Sequence, residues 1–281
     1  MTNSECDDKK VSDNDTKDKL ARLVDLPSLP ALLMDALQHT ADNQSLSHLA
    51  DKIGQDPPMV VRILRIINSP FYGMPREIGS LREAVVLLGL NRVRDILLSA
   101  CVMNILPAQN KDFDYPLFWR HCLAVADCAR QLGMHTRIGP DIAFTAGLLH
   151  DIGRLVIVLL FPNDAGRLIK EPQPICLDTE RRIMGFDHVE IGSKVAQYWN
   201  LPLAIQEAIE QHETPPTQAA STSLGLLIYT ANLLVKQTEQ NNDDISASII
   251  HVLELLGIPL EQATLWADTS RQFADQIIAT L

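Results

Sequence analysis

Paired cysteines are missing from this sequence. The five present, Cys6, Cys101, Cys122, Cys128 and Cys176, are odd in number, scattered and without a CxxC pair. That pattern fits a reducing compartment. An excess of basic charge is missing too. Lys and Arg total 24 against 35 Asp and Glu, giving a formal net charge of −11 and a pI near 5.1. Broad binding to nucleic acid or to an anionic membrane needs a basic face, so neither is expected as a partner. The acidity favours proteins, metals or small ligands instead. Residues 1–19, MTNSECDDKKVSDNDTKDK, lack the apolar core of a signal peptide and read as a disordered polar leader. A cytoplasmic protein is expected.

Alternating apolar and polar positions, the mark of half-buried strands, are also lacking, as are internal repeats. What remains is helical spacing along nearly the whole chain, with 46% hydrophobic residues in 281, enough for a sizeable core. Start and stop signals divide it. Asp56-Pro57 reads as N-cap and first helical residue, Asn91 as the cap of a run to Leu106, and Pro107 as its end. Gly133 is expected to close the helix that begins near Pro116, and Pro140-Asp141 to open the next. The expected fold class is all-α. A polar connector, PAQNKDFDYP at 107–116, divides it into an N-terminal helical subdomain over 20–110 and a helical bundle over 111–281. Stretches 170–178 and 213–221 read as loops inside the second half.

The one candidate membrane span is IAFTAGLLHDIGRLVIVLLF, residues 142–161, about the ~20 residues a bilayer requires. His150, Asp151 and Arg154 interrupt its middle at a high insertion cost, so it reads as a helix through the core. SLSHLADKIGQDPPMVVRILRIINS, 45–69, has helix-turn-helix spacing, but its second helix, MVVRILRII, is apolar on nearly every side. A recognition helix must show polar side chains to base edges. The local basic island of Arg62, Arg65, Arg76, Arg82, Arg92 and Arg94 is expected to be a solvated face with weak salt bridges.

Inside that apolar run, GLLHDIGRL at 147–155 places a carboxylate where a core helix would carry Leu or Ala. A buried carboxylate is costly unless paired, hydrogen-bonded or metal-bound. Candidate partners are His121, His150, His188 and His212, spread so widely that only facing helices of a bundle could gather them. Imidazole and carboxylate together suit a divalent cation, and a bridging carboxylate suits two-metal phosphoester hydrolysis. His39, His48, His135 and His251 are taken as structural or surface residues.

The ordered set His121, then His150-Asp151 in LLHDIG, resembles the HD superfamily of metal-dependent phosphohydrolases. More closely, the chain after about residue 20 resembles the HDOD family of bacterial signalling proteins. The likeness is carried by LPSLP (26–30), Asp56-Pro57, ILRIINSPFYG (63–73), IGSLREAVVLLGL (78–90), GLLHDIGRL, FDHVEIGSKVAQYWNLP (186–202) and AIEQHE (208–213). The resemblance implies an N-terminal helical subdomain packed on an HD-like bundle, in a family regarded as mainly regulatory. No receiver domain fits within the chain, so input is expected from a separate molecule.

It also implies where the chemistry is eroded. Asn232, in LLIYTANLLVK, falls where a catalytic HD domain carries its last Asp ligand. Gln211-His212 stands where the cyclic-di-GMP phosphodiesterases of the HD-GYP class pair two histidines, and Arg154 where they have lysine. Arginine does not donate a proton near neutral pH as a tuned lysine does. The expected function is therefore a non-catalytic signalling module that binds a partner protein or small ligand. The rival is a metal-dependent phosphohydrolase acting on nucleotides or a cyclic dinucleotide through Asp151 and Arg154. His121, His150, Asp151, His188 and His212, with Asn232 in place of Asp, form the candidate set for one divalent ion.

Overall fold

The computed structural model describes residues 13–27, 57–105, 110–172, 175–214, 223–240 and 246–280. Every regular element among them is helical. In chain order these are α1 (Asp13–Ala21), α2 (Pro57–Ile67), α3 (Leu81–Leu88), α4 (Leu90–Ile105), α5 (Tyr115–His135), α6 (Pro140–Leu149) and α7 (Ile152–Leu160). They continue as α8 (Pro162–Leu168), α9 (Leu177–Met184), α10 (His188–Tyr198), α11 (Leu203–Gln211), α12 (Leu224–Glu239), α13 (Ala247–Leu256) and α14 (Leu260–Thr280). Asp56, Pro107, most of LPSLP, the first helix of the helix-turn-helix-like segment, and the larger part of the 213–221 loop lie outside the described residues.

The long helix α5 is the axis of the molecule. Small residues Ala124, Ala126 and Ala129 are fully buried along it, and it packs on α6, α12 and α14. Close approach is enforced at Gly147 of α6, where a Cβ would lie 2.7 Å from the Ala126 Cα. Glycine there lets the two backbones touch, and it brings His150, three residues on, toward α5. The first-half helices pack on the bundle chiefly through α4 against α6 and α2 against α14.

Several local expectations are corrected. The leader is helical from Asp13, and Lys19 ties it to the bundle through Asp164 (2.8 Å) and the Met184 carbonyl (3.4 Å). Asn91 is not a cap, because α4 starts at Leu90 with the Gly89 carbonyl accepting from Val93 N. Helix α5 runs through Gly133 to His135, since that glycine serves close packing against Pro140 and Ala143 rather than a turn. Pro140 does open α6, with Gly139 as its cap.

The helix α2 is amphipathic rather than apolar all round. Ile63, Ile66 and Ile67 are buried while Val61 and Arg65 face solvent. The basic island is split. Arg76 pairs with Glu83 at the surface, but Arg94 is buried against Asp95 (3.3 Å) and Asp141 (2.6 Å), and Arg92 reaches the buried Asp127 (2.8 Å). Pro140–Leu160 is long and apolar enough to cross a membrane by length and composition, with most of it buried inside the protein. It is two helices rather than one, broken at His150-Asp151.

Candidate functional site

The break between α6 and α7 places His150 at the C-terminus of one helix and Asp151 at the start of the next. The last turn of a helix leaves carbonyls without intrahelical partners, and His150 uses one. Its Nδ1 lies 2.7 Å from the Gly147 carbonyl. His212 repeats the device at the end of α11, with Nδ1 2.6 Å from the Ile209 carbonyl. His188, the first residue of α10, is held by Glu180, whose Oε2 lies 2.7 Å from both its Nδ1 and its backbone N–H. In each case a carbonyl or carboxylate beside Nδ1 fixes the proton there. The three Nε2 lone pairs are left facing inward, as metal-binding imidazoles are oriented by their outer partners.

Those nitrogens converge on Asp151. His188 Nε2 and His212 Nε2 lie 3.2 Å apart and each is 3.3 Å from Asp151 Oδ1. Glu213 Oε1 lies 3.8 and 3.7 Å from the same two nitrogens. Ligands at about 2.0–2.1 Å from a tetrahedral cation are about 3.3 Å from one another, so this side-chain triangle already has the edge length of a metal site. A second group, His121, His150 and Asp151, has ligand atoms within 4.8 Å of one another. Asp151 belongs to both.

The two groups differ in how free their atoms are. His121 meets an oxygen at each ring nitrogen, Glu239 Oε2 at 3.0 Å and Asn232 Oδ1 at 3.1 Å. Asn232 is buried and donates from Nδ2 to the His212 carbonyl at 3.2 Å. It therefore lines the site, with its carbonyl turned to His121. His150 Nε2 is buried, makes no hydrogen bond and lies 3.7 Å from Asp151 Oδ2. Gln211 points away, against Gly225 of α12.

Arg154 supplies the cation. Its Nε lies 3.1 Å from both Asp151 oxygens, and its other nitrogens reach Glu180 Oε1 (3.3 Å) and His188 Nε2 (3.4 Å). Burial opposes ionisation of Asp151, but the Arg154 guanidinium and the surrounding imidazoles outweigh it and hold the carboxyl well below the usual carboxylate range. Burial holds His150 well below the ordinary imidazole value. Burial and then the Arg154 charge also lower His188 from that value. Burial also works against Glu213, yet Lys236, 2.6 Å away, keeps it ionised below its usual value.

Glycine makes this assembly possible. A Cβ on Gly153 would run into the His188 carbonyl oxygen and sit 2.8 Å from Gly192 N, so α7 and α10 can approach closely enough to join Arg154, Asp151 and His188 only with glycine there. Glu180, Glu213 and Glu239 were not singled out by the sequence reading. For Glu213 the signal was present, an acid directly after His212 at a helix end. For Glu180 and Glu239 nothing in the local pattern distinguishes them from solvated helix acids.

A cavity of about 460 Å³ opens beside the cluster, reaching His121, Asp151 and Arg154 at its inner end. Fold and site together define an HD-type helical bundle with a buried His/Asp centre. The HDOD domain family model matches residues 26–215, and the chain belongs to that family. It is 30% identical over 204 residues to an uncharacterised protein of Treponema pallidum, 69% of this chain but 39% of that one, so it spans well under half of that relative. Among solved structures it is similar to a proposed phosphohydrolase from Shewanella amazonensis, with a TM-score of 0.72 and 26% identity over 92% of this chain and 97% of that one. It also matches an HDOD domain protein of unknown function from Geobacter sulfurreducens, with a TM-score of 0.74 and 22% identity over 94% and 97% of the two chains.

Proposed function

We propose that this chain is a cytoplasmic bacterial signalling module of the HDOD type that works by binding a small ligand or a partner protein rather than by turnover. The observation that carries this reading is the hold of Arg154 on both oxygens of Asp151, the carboxylate on which both candidate metal groups depend. Asn232 adds to it by spending its carbonyl on His121. With these two contacts made, the second position keeps the free Nε2 of His150 but has neither an uncommitted carboxylate nor an uncommitted His121 ring.

A single divalent cation fits the donor set of Asp151, His188, His212 and Glu213. Their spacing, their inward lone pairs and the outer support of Glu180 favour it. When bound, such an ion would supply positive charge and Lewis acidity at the inner end of the cavity. The chain's own residues do the rest. Glu180 fixes the His188 ring, the Gly147 and Ile209 carbonyls fix His150 and His212, and Arg154 neutralises Asp151.

The rival reading, a phosphohydrolase, is favoured by one observation, the sharing of Asp151 between two ligand groups. Incubation of the purified chain with Mn²⁺ or Zn²⁺ and bis(p-nitrophenyl) phosphate, cyclic dinucleotides and nucleotides separates the two. The regulatory reading expects no turnover above that of a folded Asp151→Ala variant. Turnover that Asp151→Ala abolishes would establish the rival.

A further inference from the structure

The cavity beside the cluster has walls of one character and charges of another. Its sides are apolar, from Leu117 and Phe118 of α5, Ile157 and Val158 of α7, and Leu168 of α8. Its volume, about 460 Å³, falls in the range of small-molecule sites. Five carboxylates line it, Asp112, Asp114, Asp151, Glu180 and Glu239, against two cations, Arg154 and Lys236.

Neither cation is uncommitted. Arg154 is bound to Asp151 and Glu180, and Lys236 to Glu213 at 2.6 Å. An anionic ligand would have to break one of these pairs and leave a carboxylate behind in a desolvated place, a costly exchange. The other three acids are less committed. Glu239 turns Oε2 to His121, while its Oε1 is buried and takes no hydrogen bond. Asp114 spends one oxygen on the Leu117 N–H, and Asp112 stands exposed at the mouth. Phe113 and Phe118, with ring centroids 5.6 Å apart, add aromatic faces beside these acids, a surface that attracts a cation.

We infer that this cavity takes a small amine with an apolar or aromatic body, its ammonium group directed to Glu239 and its body against the α5 and α7 walls. This deepens the reading of the chain as a ligand-binding module and rests on it. The ligand class is set by what is unpaired. A buried acceptor oxygen asks for a donor, apolar walls ask for a hydrocarbon body, and among the described lining residues no spare cation greets a phosphate.

Calorimetric titration of the full chain with three probes that share one body, 2-phenylethylamine, 2-phenylethanol and 2-phenylethyl phosphate, tests this. The amine is expected to bind at least tenfold tighter than the alcohol, and the phosphate weakest. Glu239→Gln should weaken the amine at least fivefold and leave the alcohol unchanged. Val158→Trp, which fills the cavity, should abolish both at an unchanged far-ultraviolet circular dichroism spectrum. Equal binding of amine and alcohol, an indifferent Glu239→Gln, or no binding by any probe at millimolar concentration overturns the inference. Preferred binding of the phosphate without its hydrolysis also overturns it but spares the regulatory reading, whereas hydrolysis overturns both.

Discussion

The Nε of Arg154 lies 3.1 Å from each carboxylate oxygen of Asp151, three residues earlier in the chain. The pair spans the start of α7, and Asp151, with only 6% of its side chain exposed, depends on it. Arg154→Ala leaves that carboxylate with neutral imidazoles alone. Breaking one side of a buried pair costs about 3 kcal/mol or more, so the urea midpoint should fall at an unchanged slope. Added Zn²⁺ should restore much of the loss, because a divalent ion answers the same charge. An unchanged midpoint would mean that Asp151 is satisfied elsewhere.

Asn232→Asp restores a carboxylate beside His121 and removes the N–H that now meets the His212 carbonyl. Metal-free protein should lose about 1–3 kcal/mol, the usual cost of a buried acceptor left without its donor. The affinity for Mn²⁺ or Zn²⁺, read by titration calorimetry, should rise, with a second ion per chain at saturation. Identical metal stoichiometry in the two proteins would place residue 232 outside the ligand shell.

Gly153→Ala should prevent the normal docking of α7 on α10, because the new methyl meets the His188 carbonyl rather than a movable side chain. Loss of soluble protein, or a fall in melting temperature far beyond that of ordinary surface changes, is expected. Gly166→Ala is the control. Nothing lies within 4 Å of its new Cβ inside α8, and alanine is better than glycine in a helix by up to about 1 kcal/mol. Its melting temperature should stay level or rise.

A pH effect arises away from the site. Burial pushes the Asp95 carboxyl up to about 7, despite the nearby Arg94 and Arg130, and its Oδ2 has no hydrogen bond. Its folded value thus stands above its unfolded one. The penalty of carrying the charge is full above pH 7 and is relieved as pH falls toward 4. Buried His150 and His188 act oppositely, since their folded values lie below the unfolded 6.5 and their stabilisation is lost on acidification. The Asp95 contribution is therefore read as a difference. Asp95→Asn should gain stability over the parent at pH 8 and lose that advantage progressively as pH falls from 7 toward 4. A gap between the two proteins that does not change with pH would contradict this.

The sequence made the broad outline of the site legible because its residue types are rare in helical cores. His150 and Asp151 sit amid Leu and Ile, so their need for partners was visible before any fold, and His121, His188, His212 and Asn232 do meet around them. Glu180 and Glu239 were hidden for the opposite reason. Acids on amphipathic helices are common, and only the approach of Glu180 on α9 to His188 and of Glu239 on α12 to His121 decides that these two turn inward. Arg92 and Arg94 escaped in the same way, reading as surface charge until Asp127 and Asp141 arrive from distant positions and the adjacent Asp95 is buried with them. The break between α6 and α7 was masked by an apolar run that continues through it. The Asp13–Ala21 helix was masked by its polarity, since Lys19 and the single apolar contact of Leu20 tie it down rather than an apolar stripe.

In the function proposed for this chain, Asp151, His188, His212 and Glu213 form a single-ion centre that serves binding and not turnover. Elemental analysis of the chain purified without chelator, beside His188→Ala and Asn232→Ala variants of verified fold, tests it most directly. The account predicts close to one divalent ion per chain in the parent and in Asn232→Ala, and none in His188→Ala. Two ions per chain in the parent, or an ion that survives the loss of His188 and disappears with Asn232, would contradict it.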